Sequence, residues 1–436
     1  MVAPDVSSDV DAARTVSLTG PGHLSGSLRV PGDKSISHRA LLLAGLAEGE
    51  SLITGLSGGD DVRRTRLALE SYGVQIEPAG DGLRVRGGLQ DEPDEPLDLG
   101  NSGTATRLFA GVCAGRDGYA VLTGDQYLRA RPMNRVAVPL RAMGAAIDGR
   151  RDGDLLPLGV RGGRLTGIDY DSPVASAQVK SAILLAGLGA SGPTSVREPA
   201  ATRRHTEEML RDFGGKVAVD GTRVTIEPSP LSATDVDVPG DPSQAAFWTV
   251  AALIVPDASV TVENVYLGFG RTGFIDVLRR MGADIDVDAS TGLIRARSTR
   301  LTGIDIAGAD IPSIIDEVPI LAVAAAAATG TTTISGAQEL RVKESDRIAS
   351  TVRMLRAFGA RAHETEDGMV IEGGAPARGG VVDSHGDHRI AMAACVNALI
   401  AEGTTVIHGW DSVATSYPGF AAHLAALSGG AVTLSA

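Results

Sequence analysis

Lysine is almost absent from this 436-residue chain: Lys34, Lys180, Lys216 and Lys343 are the only four among 40 basic residues. Where cations are otherwise written as Arg, the ammonium of Lys34 is informative, because it is a compact point charge rather than a planar fork. Cysteine is scarce too. Cys113 and Cys395 lie in the apolar, helix-like contexts RLFAGVCAG and AMAACVNAL, which excludes a disulfide framework and implies buried thiols in a reducing compartment. Aromatics make up 3% of the chain and the net charge is −13, so a general nucleic-acid binder is excluded on both stacking and electrostatic grounds. Long apolar runs are missing. LAVAAAAATG is too short to span a bilayer, and residues 1 to 15 lack a basic start followed by an apolar core; the expectation is a cytoplasmic protein with no membrane partner.

What the chain does have is a repeat. ESYG, RAMG, RDFG, RRMG and RAFG end at Gly73, Gly144, Gly214, Gly282 and Gly359, at intervals of roughly 70 residues, longer than the roughly 20 to 50 of ordinary solenoids. Each glycine closes a helical pattern such as IDVLRRMG and precedes a short strand such as DIDVD, so each is read as a helix C-cap. Upstream of each lies a strand, a long Ala/Leu-rich helix and another strand. With a sixth, truncated unit starting near Val381, the pattern predicts an α/β protein of six βαβ-type units, each with a further strand pair, divided three and three between two domains.

Polar clusters stand where the buried helices of these units begin. Lys34 follows Pro31-Gly32-Asp33 and precedes Ser35 and Ser37, so hydroxyls, free backbone N–H groups and the positive end of a helix are expected to meet an anion there. The other clusters are Gly100 to Arg107, Ser176 to Ser181, Gly240 to Gln244, Asp316-Glu317 and Gly386 to Arg389. Capping explains any one of them; the same placement five times over predicts a convergent anion site. Arg129 and Arg131 follow a Gly124-Asp125 turn, and Arg341 to Arg347 alternates charges before the helix RIASTVRMLRAFG. Glu344, flanked by cations and beside the rare Lys343, is a candidate general acid or base. Asp383 to His388 has neither a cysteine nor a third histidine nearby, so no metal site is expected and His388 is read as a cap or a phosphate contact.

PGDKSISHRA, GNSGTATR, ARPM, SAQVKSAILLAGL, IDEVPILAVAA, RVKESDR and GDHRIAMA together resemble, in order, the 3-phosphoshikimate 1-carboxyvinyltransferase (EPSP synthase) family of enolpyruvyl transferases, from about Leu28 to Leu424. The resemblance implies an inside-out α/β barrel fold of two domains, each of three βαβαββ repeats, closing over substrates like a clamshell. Residues 1–32 plus 242–436 would form the first domain and 33–241 the second. It implies transfer of the enolpyruvyl group of phosphoenolpyruvate to the 5-hydroxyl of shikimate 3-phosphate with release of phosphate, by a monomer that uses no cofactor. Carried over by motif, Ser35, Arg39, Ser176, Gln178 and Lys343 would hold shikimate 3-phosphate, with Ser35 and Arg39 on its carboxylate. Lys34, Arg131, Arg347 and Arg389 would clamp phosphoenolpyruvate in a pocket lined by Asn101, Gly103 and Thr104. Asp316 would take the hydroxyl proton, Glu344 would protonate the methylene carbon, and Lys34 would follow the transferring group.

The chain departs from the family pattern at several points. Thr415 replaces a lysine common in the last motif, removing one expected phosphoenolpyruvate contact, and Ala177 and Leu108 replace a Ser and a Pro found in some branches. Tyr127 and Arg204 fall in segments expected near the acceptor. They keep open a specialised-metabolism homologue that acts on a related cyclitol phosphate or eliminates phosphate. A sister enzyme acting on UDP-N-acetylglucosamine typically carries a cysteine where GDQYLRARP has none. A non-catalytic phosphometabolite-binding protein would need neither Asp316 nor Glu344.

Overall fold

A computed structural model describes residues 14–90 and 92–435. The chain clusters into two compact units, one drawn from the segment up to Pro31 together with that from Pro239 onward, the other running from Gly32 to Val238. Each unit contains three buried helices, labelled here in chain order. In the Gly32–Val238 unit these are α1 (Lys34–Leu46), α2 (Gly103–Ala114) and α3 (Ala177–Gly187); in the other they are α4 (Pro242–Ile254), α5 (Val318–Ala327) and α6 (His388–Ala398). Their sequences explain their burial. VPILAVAAAA is apolar on every face, and PSQAAFWTVAALI is so apart from Ser243, Gln244 and Thr249, so neither helix has a side it can leave in water, and nearly all their residues are buried.

Three small sheets surround each trio of helices. In the Gly32–Val238 unit, Glu50–Thr54 pairs in parallel with Val236–Asp237 and antiparallel with Gly82–Arg86, which in turn pairs with Gln75–Ala79. The sheets around Tyr119–Thr123 and Thr194–Arg197 repeat this order. In the other unit, Ser259–Glu263 and Thr331–Ile334 do the same. Residues on these strands alternate between buried and exposed, as in Ser259–Glu263, so each sheet turns one face to the helices and one to solvent.

The five glycines behave alike. Gly73, Gly144, Gly214, Gly282 and Gly359 all have positive φ, between 78° and 112°. In each case the glycine N–H bonds the carbonyl three residues back and the next N–H bonds the carbonyl five back, as in Gly73 to Glu70 and Val74 to Leu69. This is the Schellman closure, in which the left-handed residue satisfies carbonyls that the helix end leaves open.

The sixth repeat is not simply truncated. Its sheet is completed by the start of the described chain: Thr15–Gly20 pairs antiparallel with Gly403–His408, which pairs in parallel with Val381–Asp383. Ser17 and Ser435 exchange backbone hydrogen bonds of 2.7 and 3.0 Å on its edge. Local periodicity carries no trace of a partner nearly 400 residues away.

Candidate active site

Most of the helix N-termini that lead the polar clusters are already occupied by their own caps. Asp33, Asp241 and Asp387, all buried, accept backbone N–H bonds at the starts of α1, α4 and α6, and Ser102 does so for α2. The expected convergence of free N–H groups is therefore reduced, and the charge available to an anion comes chiefly from side chains. Lys34 is the first residue of α1 rather than part of the loop before it, and its Nζ lies 2.9 Å from Asp61 Oδ2.

In the Gly32–Val238 unit the guanidinium of Arg39 is fixed by neutral oxygens. Its Nε donates to Thr206 Oγ1 at 2.6 Å, Nη2 to Ser181 Oγ at 2.6 Å and Nη1 to the Ser35 carbonyl at 2.8 Å. A second network starts at the turn before α2. Arg131 donates to Asn101 Oδ1, Arg107 donates to Gln178 Oε1 at 2.7 Å, and Gln178 Nε2 donates to Thr104 Oγ1 at 2.9 Å. Gly103 leaves room for both, since a Cβ there would stand 2.8 Å from the Nη1 atoms of Arg107 and Arg131 and displace the two guanidinium groups. Asn101, Gly103, Thr104, Arg131 and Gln178 are thus brought together. Ser176 is the N-cap residue of α3 and makes no capping bond with its side chain.

Arg107 belongs to this group although the motif reading assigns it no role. Its signal was its place in GNSGTATR, one helical turn after Gly103. His38 links α1 to the same region through Thr65 Oγ1 at 2.7 Å and Ser102 Oγ at 3.4 Å. Burial, reinforced by the charges of Lys34 and Arg39, holds its pKa well below the ordinary imidazole value, so it stays neutral among cations.

In the other unit Arg347 is the hub. Its side chain is 1% exposed, and it meets three carboxylates: Nη1 lies 3.4 Å from Asp316 Oδ1, Nη2 lies 2.5 Å from Glu344 Oε2, and Nε lies 2.8 Å from Asp387 Oδ2. Burial works to lower its pKa, but Asp387, Glu344 and Asp316 outweigh it and the net shift is upward. Lys343 Nζ lies 3.8 Å from Asp316 Oδ1. Burial lowers its pKa, opposed by Asp316 and aided by Arg347. Arg389 Nη1 donates to the backbone carbonyl of Asp316 at 2.9 Å. Asp316, Lys343, Glu344, Arg347 and Arg389 therefore form one connected group.

The residues that depart from the family pattern are placed as follows. Thr415 Oγ1 lies 3.3 Å from His388 Nδ1 and donates to the Ser412 carbonyl at 2.7 Å, so a hydroxyl contact to His388 takes the place of a cation. Tyr127 is exposed before the turn Leu128–Ala130, and Arg204 is half-buried at the start of the helix His205–Asp212.

The repeated units, with helices inside and sheets outside, are the fold of an enolpyruvyl transferase. The structure of the enolpyruvyl transferase NikO from Streptomyces tendae matches it with a TM-score of 0.81 over 97% of this chain and 99% of that one, at 20% identity, a likeness of fold alone. EPSP synthase from Acinetobacter baumannii matches with a TM-score of 0.84 and 42% identity over 97% of this chain and 99% of that one. A family model for EPSP synthase (3-phosphoshikimate 1-carboxyvinyltransferase) matches residues 18–424. Two curated relatives of that name, from Synechococcus sp. (strain JA-3-3Ab) and Gloeobacter violaceus, are 51% and 52% identical over 94% of this chain and 96% and 98% of their own lengths. The chain belongs to the EPSP synthase family.

Proposed function

We propose that this chain transfers the enolpyruvyl group of phosphoenolpyruvate to the 5-hydroxyl of shikimate 3-phosphate, releasing inorganic phosphate. The observation that carries the reading is Arg347, whose single buried guanidinium holds Asp316 and Glu344 apart on two of its nitrogens. A base and an acid fixed by one cation suit an addition in which one proton leaves an alcohol while another reaches carbon.

In the first step Asp316 takes the proton of the 5-hydroxyl as its oxygen bonds to C2 of phosphoenolpyruvate. Glu344 gives a proton to C3, and the C2–C3 double bond becomes single. In the second step the new methyl group returns a proton to Glu344, the double bond reforms, and the C2–O bond to phosphate breaks as Asp316 passes the hydroxyl proton to the departing phosphate oxygen. The phosphorus–oxygen bonds stay intact. Lys34, Arg131, Arg347 and Arg389 neutralise the phosphate and carboxylate of phosphoenolpyruvate, with Asn101, Gly103 and Thr104 alongside. Ser35 and Arg39 take the acceptor's carboxylate, while Ser176, Gln178 and Lys343 take its ring and phosphate. The reading extends to a monomeric cytoplasmic enzyme, for which the buried free thiols Cys113 and Cys395 suit a reducing compartment.

The test is incubation with both substrates while free phosphate and organic product are followed together. Equal amounts of the two are expected. Phosphate released without a carboxyvinyl ether would favour the eliminating homologue, and no turnover would overturn the reading.

A further inference from the structure

Lys180 is the one lysine of the four with its side chain almost wholly sequestered, and it serves none of the roles given above. It sits on α3 with 2% of its side chain exposed, and its Nζ lies 2.7 Å from both Glu198 Oε2 and Glu207 Oε1, themselves 2% and 1% exposed. Thr202 Oγ1 donates to the other oxygen of Glu198. One ammonium therefore ties together α3, the loop after strand Thr194–Arg197, and the helix His205–Asp212. A buried ionic cluster is a costly way to join three segments and is weak evidence for stability by itself. What it supplies is fixed geometry, because a point charge accepts two carboxylates from different directions where a guanidinium imposes its own plane.

The residues next to this cluster are the ones that orient Arg39. Ser181 follows Lys180, and Thr206 precedes Glu207. The Ser181 hydroxyl donates to the Ala177 carbonyl at 2.6 Å, so its oxygen is left to accept from Arg39 Nη2 and from the Thr206 hydroxyl, each at 2.6 Å. Thr206 Oγ1 in turn accepts from Arg39 Nε at 2.6 Å. Every hydrogen of the two hydroxyls is thereby assigned, and both oxygens face one edge of the guanidinium. A shift of the helix His205–Asp212 against α3 would separate that pair and free Arg39 to rotate.

We propose that Lys180, Glu198 and Glu207 are positioning residues that hold Arg39, through Ser181 and Thr206, in the orientation that binds the acceptor's carboxylate. The inference rests on the assignment of Arg39 to that carboxylate. Glu207→Gln keeps the side-chain volume while removing one charge from the cluster, and binding of shikimate 3-phosphate and of its carboxyl methyl ester would be measured by calorimetry beside steady-state kinetics. The variant is expected to bind shikimate 3-phosphate about tenfold more weakly, the scale of one loosened hydrogen bond to a charged group. Its KM for phosphoenolpyruvate should stay within about twofold, as for a change confined to acceptor binding, and the ester should bind wild type and variant equally. Ser181→Ala cuts the link without disturbing the buried ions and should give the same pattern, which keeps the test decisive if Glu207→Gln does not fold. Equal affinity of both variants and wild type for shikimate 3-phosphate would overturn the inference alone, as would equal weakening towards acid and ester. Wild-type protein that binds no shikimate 3-phosphate would overturn the acceptor assignment and the inference with it.

Discussion

In the proposed reaction, Lys34 and Glu344 are the residues whose roles single substitutions test most sharply. Lys34 Nζ is held 2.9 Å from Asp61, at a spot where the broader, planar head of arginine would need different room. Lys34→Arg should therefore lose nearly as much turnover as Lys34→Ala, while Lys216→Arg, on an exposed strand end, should change stability by no more than roughly 0.5 kcal/mol. Steady-state rates and melting temperatures of the three variants check both statements. Full activity in Lys34→Arg would show that only positive charge matters there. Glu344→Gln preserves shape and should retain substrate binding while kcat falls about 10² to 10⁴-fold, the usual contribution of a general acid. The Lys34 to Asp61 pair itself was not legible, because nothing in PGDKSISH points to a residue on another helix. The candidate status of Glu344 was legible, since its neighbours in the chain are charged.

At the level of the element, the helix-closing glycines were the clearest signal in the chain, because a C-cap is a local event set by one left-handed residue. Gly359 has φ of +87°, and a Cβ there would meet nothing closer than 4.0 Å. The cost of Gly359→Ala is then conformational, about 1 kcal/mol, and should appear as a lowered melting temperature with unchanged kcat. The sheets were less legible. Val236–Asp237 pairs with Glu50–Thr54 across nearly 200 residues, and Thr15–Gly20 joins Gly403–His408; strand pattern fixes which face is buried, not which distant strand is adjacent. Helix N-termini taught a related lesson, since Asp33, Asp241 and Asp387 both mark the clusters and each take up a backbone N–H that an anion could otherwise use.

Two pH effects belong to the whole molecule. His38 is buried with a lowered pKa, so between that value and the ordinary one near 6.5 the unfolded chain binds a proton that the folded chain does not. Stability should therefore fall as pH drops below about 6.5, by at most one proton's worth, about 1.4 kcal/mol per pH unit. Urea titrations between pH 7 and 5 should show this slope, reduced in His38→Gln. The group around Arg347 balances three cations, Lys343, Arg347 and Arg389, against three carboxylates, Asp316, Glu344 and Asp387. A phosphate dianion joining it favours proton uptake by a carboxylate, the state the reaction asks of Glu344. Calorimetry of phosphoenolpyruvate binding without shikimate 3-phosphate, so that no turnover follows, should show proton uptake that depends on buffer ionisation and disappears in Glu344→Gln.

In the proposed reaction one carboxylate held by Arg347 protonates carbon while another deprotonates oxygen. The most direct test is turnover of phosphoenolpyruvate and shikimate 3-phosphate in deuterium oxide, with the product's methylene carbon read by mass spectrometry and NMR. If C3 becomes a methyl group and then loses one of its three hydrogens, deuterium must appear in that methylene, and Glu344→Gln must form product and label together about 10² to 10⁴-fold more slowly. Product formed at the normal rate with an unlabelled methylene would show that C3 is never protonated and would contradict the account.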